Sequence, residues 1–293
     1  MSHQKFVGTG VAIVTPFRED GSIDFKSLEK LLEHIIAKGV EFVVALGTTG
    51  ENVTLSKDEK KAVVNHVIDV INKRVPLVVG IGGNNTQEII STIKSSEFDG
   101  IDAILSVAPY YNKPTQNGLF LHFKSIAEIC PVPVIIYNVP SRTGSNISAD
   151  TTIKLAREVK NIIAIKEASG DMKQIMHIVK GKPKNFLVLS GDDALTLPMI
   201  ALGGSGVISV IANAYPKDFS EMVRLALKSE MTKAMELHYK LIEMIWALFT
   251  EGSPSGVKAV LEILGIAKNY VRLPLVPVSD EHYKKIAALA KKL

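Results

Sequence analysis

The sequence holds one cysteine, Cys130, so no internal disulfide framework can hold the chain together, and that usage suits a reducing cytosol. Cys130 precedes Pro131 at the end of a helical pattern, the setting of a packed thiol rather than a nucleophile. No apolar run approaches the roughly 18 residues that span a bilayer. The N-terminus has no basic segment followed by a long apolar core, so no signal peptide is expected. Charge of one sign is not in excess: the net charge is +4 with both signs interspersed, and no basic stripe with interleaved aromatics marks a nucleic-acid surface. Lys284, Lys285, Lys291 and Lys292 read as the wet face of a terminal helix. The seven histidines, His3, His34, His66, His122, His177, His238 and His282, stand singly, without H-x-H or H-E-x-x-H spacing, which disfavours a catalytic metal. A cytoplasmic protein free of membrane and nucleic acid is expected.

What the sequence has instead is apolar surface to bury. At 293 residues and 46% hydrophobic, it can build one large core. Short β-branched runs recur at Val7–Val14, Phe42–Leu46, Leu77–Ile81, Ala103–Val107, Val134–Tyr137, Ile162–Lys166, Leu187–Ser190 and Gly206–Val210. Amphipathic helical patterns separate them. Over Phe25–Lys38, Leu28, Leu31, Leu32, Ile35 and Ile36 form one stripe, with Gly39 as the stop. Ser56 with Glu59 spells a capping box, and Thr86 and Ser148 are expected to cap two further helices.

Eight strands each followed by a helix predict a closed parallel (β/α)₈ barrel. A doubly wound open sheet competes, but the dinucleotide fingerprint is missing: Gly80-Ile81-Gly82-Gly83-Asn84-Asn85 lacks the third glycine and reads as a tight turn. After Val210 the strand signal ends, and Lys217–Lys228, Met231–Phe249 and Val257–Leu264 are helical. The expected division is a catalytic barrel over residues 1–224 and an all-helical extension over 225–293. Gly252–Gly256 is a loop between helices, and Asn269–Pro277 is an extended segment before the last helix.

In such a barrel the chemistry lies where strands end. The sixth run stops abruptly at Lys166: an amine held there against apolar walls can become a nucleophile for carbonyls, and the alternative is a solvated lysine capping the strand. The second run ends in Gly47-Thr48-Thr49-Gly50-Glu51, whose hydroxyls and exposed N–H groups suit a carboxylate or phosphate, or form an ordinary turn. The fourth ends in Pro109-Tyr110-Tyr111; adjacent loop phenols more often pack half-buried than catalyse. The fifth ends in Tyr137-Asn138-Val139-Pro140-Ser141-Arg142-Thr143-Gly144, where Arg142 offers a planar fork for a carboxylate, or a surface ion pair. The seventh ends in Ser190-Gly191-Asp192-Asp193. Gly203-Gly204-Ser205-Gly206 precedes its strand and belongs to the opposite, structural face, so no phosphate site is inferred from it.

With the Gly47–Glu51 motif, the Tyr137–Gly144 motif, and Lys166 placed 29 residues after Tyr137, the sequence resembles the dihydrodipicolinate synthase / N-acetylneuraminate lyase family from about Gly8 to about Pro277. The resemblance implies a class I, Schiff-base aldolase without cofactor. Lys166 corresponds to the lysine that forms an imine with pyruvate, and Tyr137 to a phenol that shuttles protons. Thr48 corresponds to the hydroxyl linking that phenol to a second one, Tyr111, which reaches in from a neighbouring subunit of a homotetramer built as a dimer of dimers. Thr49 corresponds to the group holding the pyruvate carboxylate, and Gly191 and Ile208 to backbone contacts near the substrate.

Arg142 in Pro-Ser-Arg-Thr-Gly resembles the synthase branch, which joins pyruvate to L-aspartate 4-semialdehyde. A 2-keto-3-deoxy sugar-acid aldolase is the nearest alternative, and a catalytically silent binding protein a more distant one. Lys57, Lys60, Asn84, Glu88 and Tyr110 correspond to a pocket that holds free lysine in regulated relatives. Lysines stand at 57 and 60 where sensitive members commonly carry histidine, and weak or absent inhibition is expected. Ser253-Pro254-Ser255-Gly256-Val257-Lys258 departs from the family spelling, in a stretch expected to lie off the active face.

Overall fold

A computed structural model describes residues 3–293. Eight strands close into a parallel barrel in sequence order: β1 (Gly8–Ala12), β2 (Phe42–Ala45), β3 (Leu77–Gly80), β4 (Ala103–Val107), β5 (Val134–Asn138), β6 (Ile162–Glu167), β7 (Leu187–Ser190) and β8 (Gly206–Ser209). Each strand falls on one of the apolar runs; β5 and β6 each run one residue further, to Asn138 and Glu167. Such runs are continuous rather than alternating because the barrel wall is apolar on both sides. Phe6, Phe42, Val44, Val78, Leu105, Ile135, Ile163, Leu187, Leu189 and Ile208 belong to one cluster inside the barrel.

Closure depends on the strand-eight glycine. Gly206 pairs with Gly8 and has φ of +141°, and a Cβ there would stand 2.0 Å from the Gly8 carbonyl oxygen. The turn before β8 is thus a structural joint, as its place before the strand predicts.

The surrounding helices are α1 (Phe25–Ala37), α2 (Lys57–Ile71), α3 (Thr86–Ser95), α4 (Gln116–Ile129), the single turn α5 (Pro140–Thr143), α6 (Ala149–Glu158), α7 (Met172–Gly181), α8 (Thr196–Ala201) and α9 (Pro216–Leu227). The capping box forms at Ser56–Glu59, and Ser148 caps α6. The cap of α3 is Asn85, not Thr86. The Asn85 side chain accepts from the N–H groups of Gln87 and Glu88, while the Thr86 hydroxyl pairs with Nδ1 of His122 at 2.8 Å. Two adjacent cap-forming residues compete here, and the earlier one takes the orphan donors.

Three more helices follow: α10 (Met231–Ala247), α11 (Ser255–Ile263) and α12 (Asp280–Ala290). Residues 224 and 225, the expected boundary, both lie within α9. One apolar cluster runs from Val11 and Val43 of the barrel through Leu28 and Leu32 of α1 to Leu241, Val257 and Ile286 of the extension. No helix among the described residues is long and apolar enough to cross a membrane.

Candidate active site

Parallel register builds the centre of the site. Tyr137 of β5 and Lys166 of β6 are direct Cα partners, flanked by Val107 of β4 and Leu189 of β7 in the same row. Paired residues of neighbouring parallel strands point to the same face. Both side chains are only 5% exposed, and the Lys166 Nζ lies 4.3 Å from the centre of the Tyr137 ring. The 29-residue spacing between them is one full strand–helix–strand step around the barrel.

Gly191 leaves the stem of Lys166 its space. A Cβ at Gly191 would stand 3.1 Å from the Lys166 Cε and 2.6 Å from the Ala168 Cβ. The Gly191 N–H donates to the Glu167 carbonyl at 2.8 Å, so the chain leaving β7 runs tightly against the end of β6. Ile208 of β8 is 1% exposed and in register with Gly10 of β1.

Gly47–Glu51 folds into consecutive tight turns, Gly50 N–H donating to the Gly47 carbonyl and Glu51 N–H to that of Thr48, both at 3.1 Å. The Thr15 hydroxyl donates to the Gly50 carbonyl at 2.7 Å. Thr49 is buried and Thr48 exposed. Among the described residues of the single chain, no hydrogen bond joins Thr48, Tyr137 and Tyr111. Tyr111 is 90% exposed and has φ of +76°, so its phenol stands outside the core of its own chain.

Arg142 sits on the single turn α5, with Pro140 at its start and Gly144 ending it at φ of +68°. Its guanidinium is exposed and takes no ion pair among the described residues. The turn is held rigidly from below. Thr143 donates to the Ser145 carbonyl at 2.9 Å, and Ser145 donates to the Pro109 carbonyl at 2.6 Å, linking the loops after β4 and β5.

Residues 5–293 match the model of the dihydrodipicolinate synthetase family. This chain belongs to that family. It is 52% identical over 290 residues to the 4-hydroxy-tetrahydrodipicolinate synthase of Flavobacterium psychrophilum, covering 99% of each chain. The crystal structure of dihydrodipicolinate synthase from Aquifex aeolicus superposes with a TM-score of 0.95 at 43% identity, covering 98% of each chain. A structure described as the first monomeric dihydrodipicolinate synthase variant reaches 0.96 at 38% identity, covering 98% of this chain and 97% of that one.

Three buried charged residues that sequence reasoning did not single out hold the chain around Lys166 and the turn after β2. Asp193 is fully buried and accepts from the N–H groups of Val210 and Ile211 at 3.0 and 2.8 Å, fixing the chain just beyond Ile208; burial pushes its carboxyl up to about 6. Glu167, next to Lys166, points to the opposite side of the strand. There it accepts from Asn138 and Gln174, and burial raises its carboxyl above the usual range. Lys258 corrects an expectation: its stretch lies in the helical extension, yet its ammonium reaches Glu51 of the active-face turn at 2.5 Å. The available signal was a lone lysine in the apolar run Val257–Leu261, a spelling that requires a buried partner.

Proposed function

We propose that the chain condenses pyruvate with L-aspartate 4-semialdehyde to give 4-hydroxy-tetrahydrodipicolinate and water, the first committed step towards diaminopimelate and lysine. The observation that carries this is the Lys166 amine over the Tyr137 ring at 4.3 Å, at the C-terminal end of the barrel. Amine and phenol side by side supply a nucleophile and a proton carrier for one carbonyl carbon.

In this reading Thr49 and the turn N–H groups hold the pyruvate carboxylate. Lys166 attacks the pyruvate C2 carbonyl, water leaves, and the protonated imine gives up a C3 proton to become an enamine. Enamine C3 bonds to the aldehyde carbon, whose oxygen takes a proton. The substrate amine then adds to the imine carbon, closes the ring and releases the Lys166 amine. Tyr137 carries protons in these steps, and a phenol does so at neutral pH only through a hydrogen-bonded relay. Thr48 and Tyr111 are the proposed relay. Gly191 and Ile208 border the substrate through their backbone. Steady-state assay of purified protein with pyruvate and a panel of aldehydes tests the reaction. The highest kcat/KM is expected with aspartate semialdehyde, and preference for a neutral sugar aldehyde would make it a sugar-acid aldolase.

The exposed Tyr111 supports a site completed across a subunit boundary, in a homotetramer of two tight dimers. Mixing inactive Tyr111→Phe and Lys166→Ala proteins under conditions of subunit exchange is expected to restore activity through hybrid dimers. No recovery despite demonstrated exchange would place Tyr111 in its own chain's site.

Feedback by lysine is expected to be weak. Lys57 and Lys60 lie on the first turn of α2, and the Asn84 amide donates to the Tyr110 carbonyl at 3.2 Å, tying two other candidate pocket residues together. Glu88 is exposed in the first turn of α3. At an effective dielectric near 20, a ligand ammonium about 6 Å from one lysine meets roughly 3 kcal/mol of repulsion before screening. Lys57 is exposed, so solvent lowers that figure. Titration with L-lysine is expected to show no half-inhibition below about 1 mM, and submillimolar inhibition would mean that both side chains turn away from the ligand.

A further inference from the structure

The helical extension reaches the turn after β2 through Lys258 and Arg272. Lys258 stands on α11, where Ser255 to Leu261 are all buried, and its side chain is fully enclosed. Its Nζ donates to Glu51 Oε1 at 2.5 Å and to the Tyr270 carbonyl at 2.7 Å, and rests 4.2 Å from the centre of the Phe17 ring. The second oxygen of Glu51 accepts from the backbone N–H of Arg272 at 3.0 Å. The Arg272 guanidinium continues the hold, donating to the Thr54 carbonyl at 2.8 Å, to the Gly21 carbonyl at 2.7 Å and to Glu59. Burial lowers the Lys258 ammonium to about 8, against the pull of the Glu51 carboxylate that holds it.

Glu51 is an unusual residue to anchor. Its φ is +53°, a left-handed conformation that a non-glycine residue keeps only when its surroundings impose it. Its own N–H donates to the Thr48 carbonyl at 3.1 Å. A pull on the Glu51 carboxylate is therefore transmitted through one peptide turn to Thr48 and Thr49.

We infer that Lys258 and Glu51 are positioning residues for the pyruvate-carboxylate turn, so that the helical extension sets the affinity for the first substrate without touching it. This rests on the reaction proposed above. Removing the Lys258 charge leaves a buried carboxylate with one backbone donor. The carboxylate must then take a proton or move towards water, and either response releases the turn that carries Thr49.

The test compares Lys258→Met and Glu51→Gln with the unaltered protein, each normalised to sites titrated by borohydride trapping of the pyruvate adduct. Lys258→Met is expected to lower kcat/KM for pyruvate by about tenfold while that for aspartate semialdehyde changes less than about twofold. Glu51→Gln keeps the shape and one acceptor oxygen, and is expected to show a smaller change of the same kind. Amide hydrogen exchange at residues 48–54 is expected to quicken while the barrel strands keep their protection. If Lys258→Met does not fold, Lys258→Met with Glu51→Gln removes the stranded charge and takes its place. A folded variant with unchanged kcat/KM for pyruvate overturns the inference, as does an equal loss for both substrates, which after normalisation to titrated sites would mark a general disturbance of the site and not a hold on the carboxylate turn. Failure of the unaltered protein to form any pyruvate adduct would instead remove the proposed reaction, and this inference with it.

Discussion

Borohydride added together with pyruvate is expected to fix a carboxyethyl group on Lys166 and abolish turnover. Reduction converts the reversible imine into a secondary amine, so peptide mass mapping reads the site directly. Lys166→Met is expected to lower kcat by roughly 10⁴-fold or more, the scale on which loss of a covalent nucleophile acts. The substitution suits the position: Lys166 is 5% exposed, its stem passes Gly191, and an unbranched methionine follows the same path without leaving a buried charge. The fold should therefore survive, and circular dichroism on the same sample checks that it does. Chelation is expected to leave the rate unchanged, because the protonated imine itself withdraws the electrons that C–C bond formation requires. An adduct on another lysine, or turnover that depends on added metal, would refute the imine mechanism.

Arg142→Ala is expected to lower kcat/KM for aspartate semialdehyde by ten- to a hundredfold, with the rate of pyruvate trapping at Lys166 nearly unchanged. The figure follows from losing a charge-assisted contact to the substrate carboxylate, about 1.5–3 kcal/mol. Arg142 is exposed in the free chain, so bound substrate must displace water from the guanidinium, and the lower half of that range is the better expectation. Removing it strands no buried partner, since no ion pair holds it among the described residues. The effect should thus be confined to the second substrate. Arg142→Lys is expected to recover only part of the loss, because an ammonium cannot grip both carboxylate oxygens in one plane. Equal losses in pyruvate trapping and in aldehyde use would show that Arg142 organises the whole site instead.

The eight strands were legible because the signal is local. A wall that is apolar on both sides demands continuous β-branched runs, and Val134–Tyr137 or Leu187–Ser190 declares that within a few residues. The place of Lys166 near the end of β6 was legible for a related reason, as a charged residue closing such a run. Helix starts were less so. Ser148 stands alone as a cap, whereas Asn85 and Thr86 compete, and only the loop geometry leading out of β3 decides for Asn85.

The sequence by itself determined the barrel, its strand ends and the kinds of side chain gathered there, because backbone periodicity and burial act over a few residues at a time. The tertiary structure alone decided which of those side chains meet. Tyr137 and Lys166 share a row because the barrel sets the stagger of β5 against β6. Glu51 and Lys258 lie 207 residues apart and pair only because α11 packs back beneath the turn after β2. Two ions can be buried there because each finds its counter-charge and its remaining hydrogen-bond partners in that packing, a condition that no local pattern encodes.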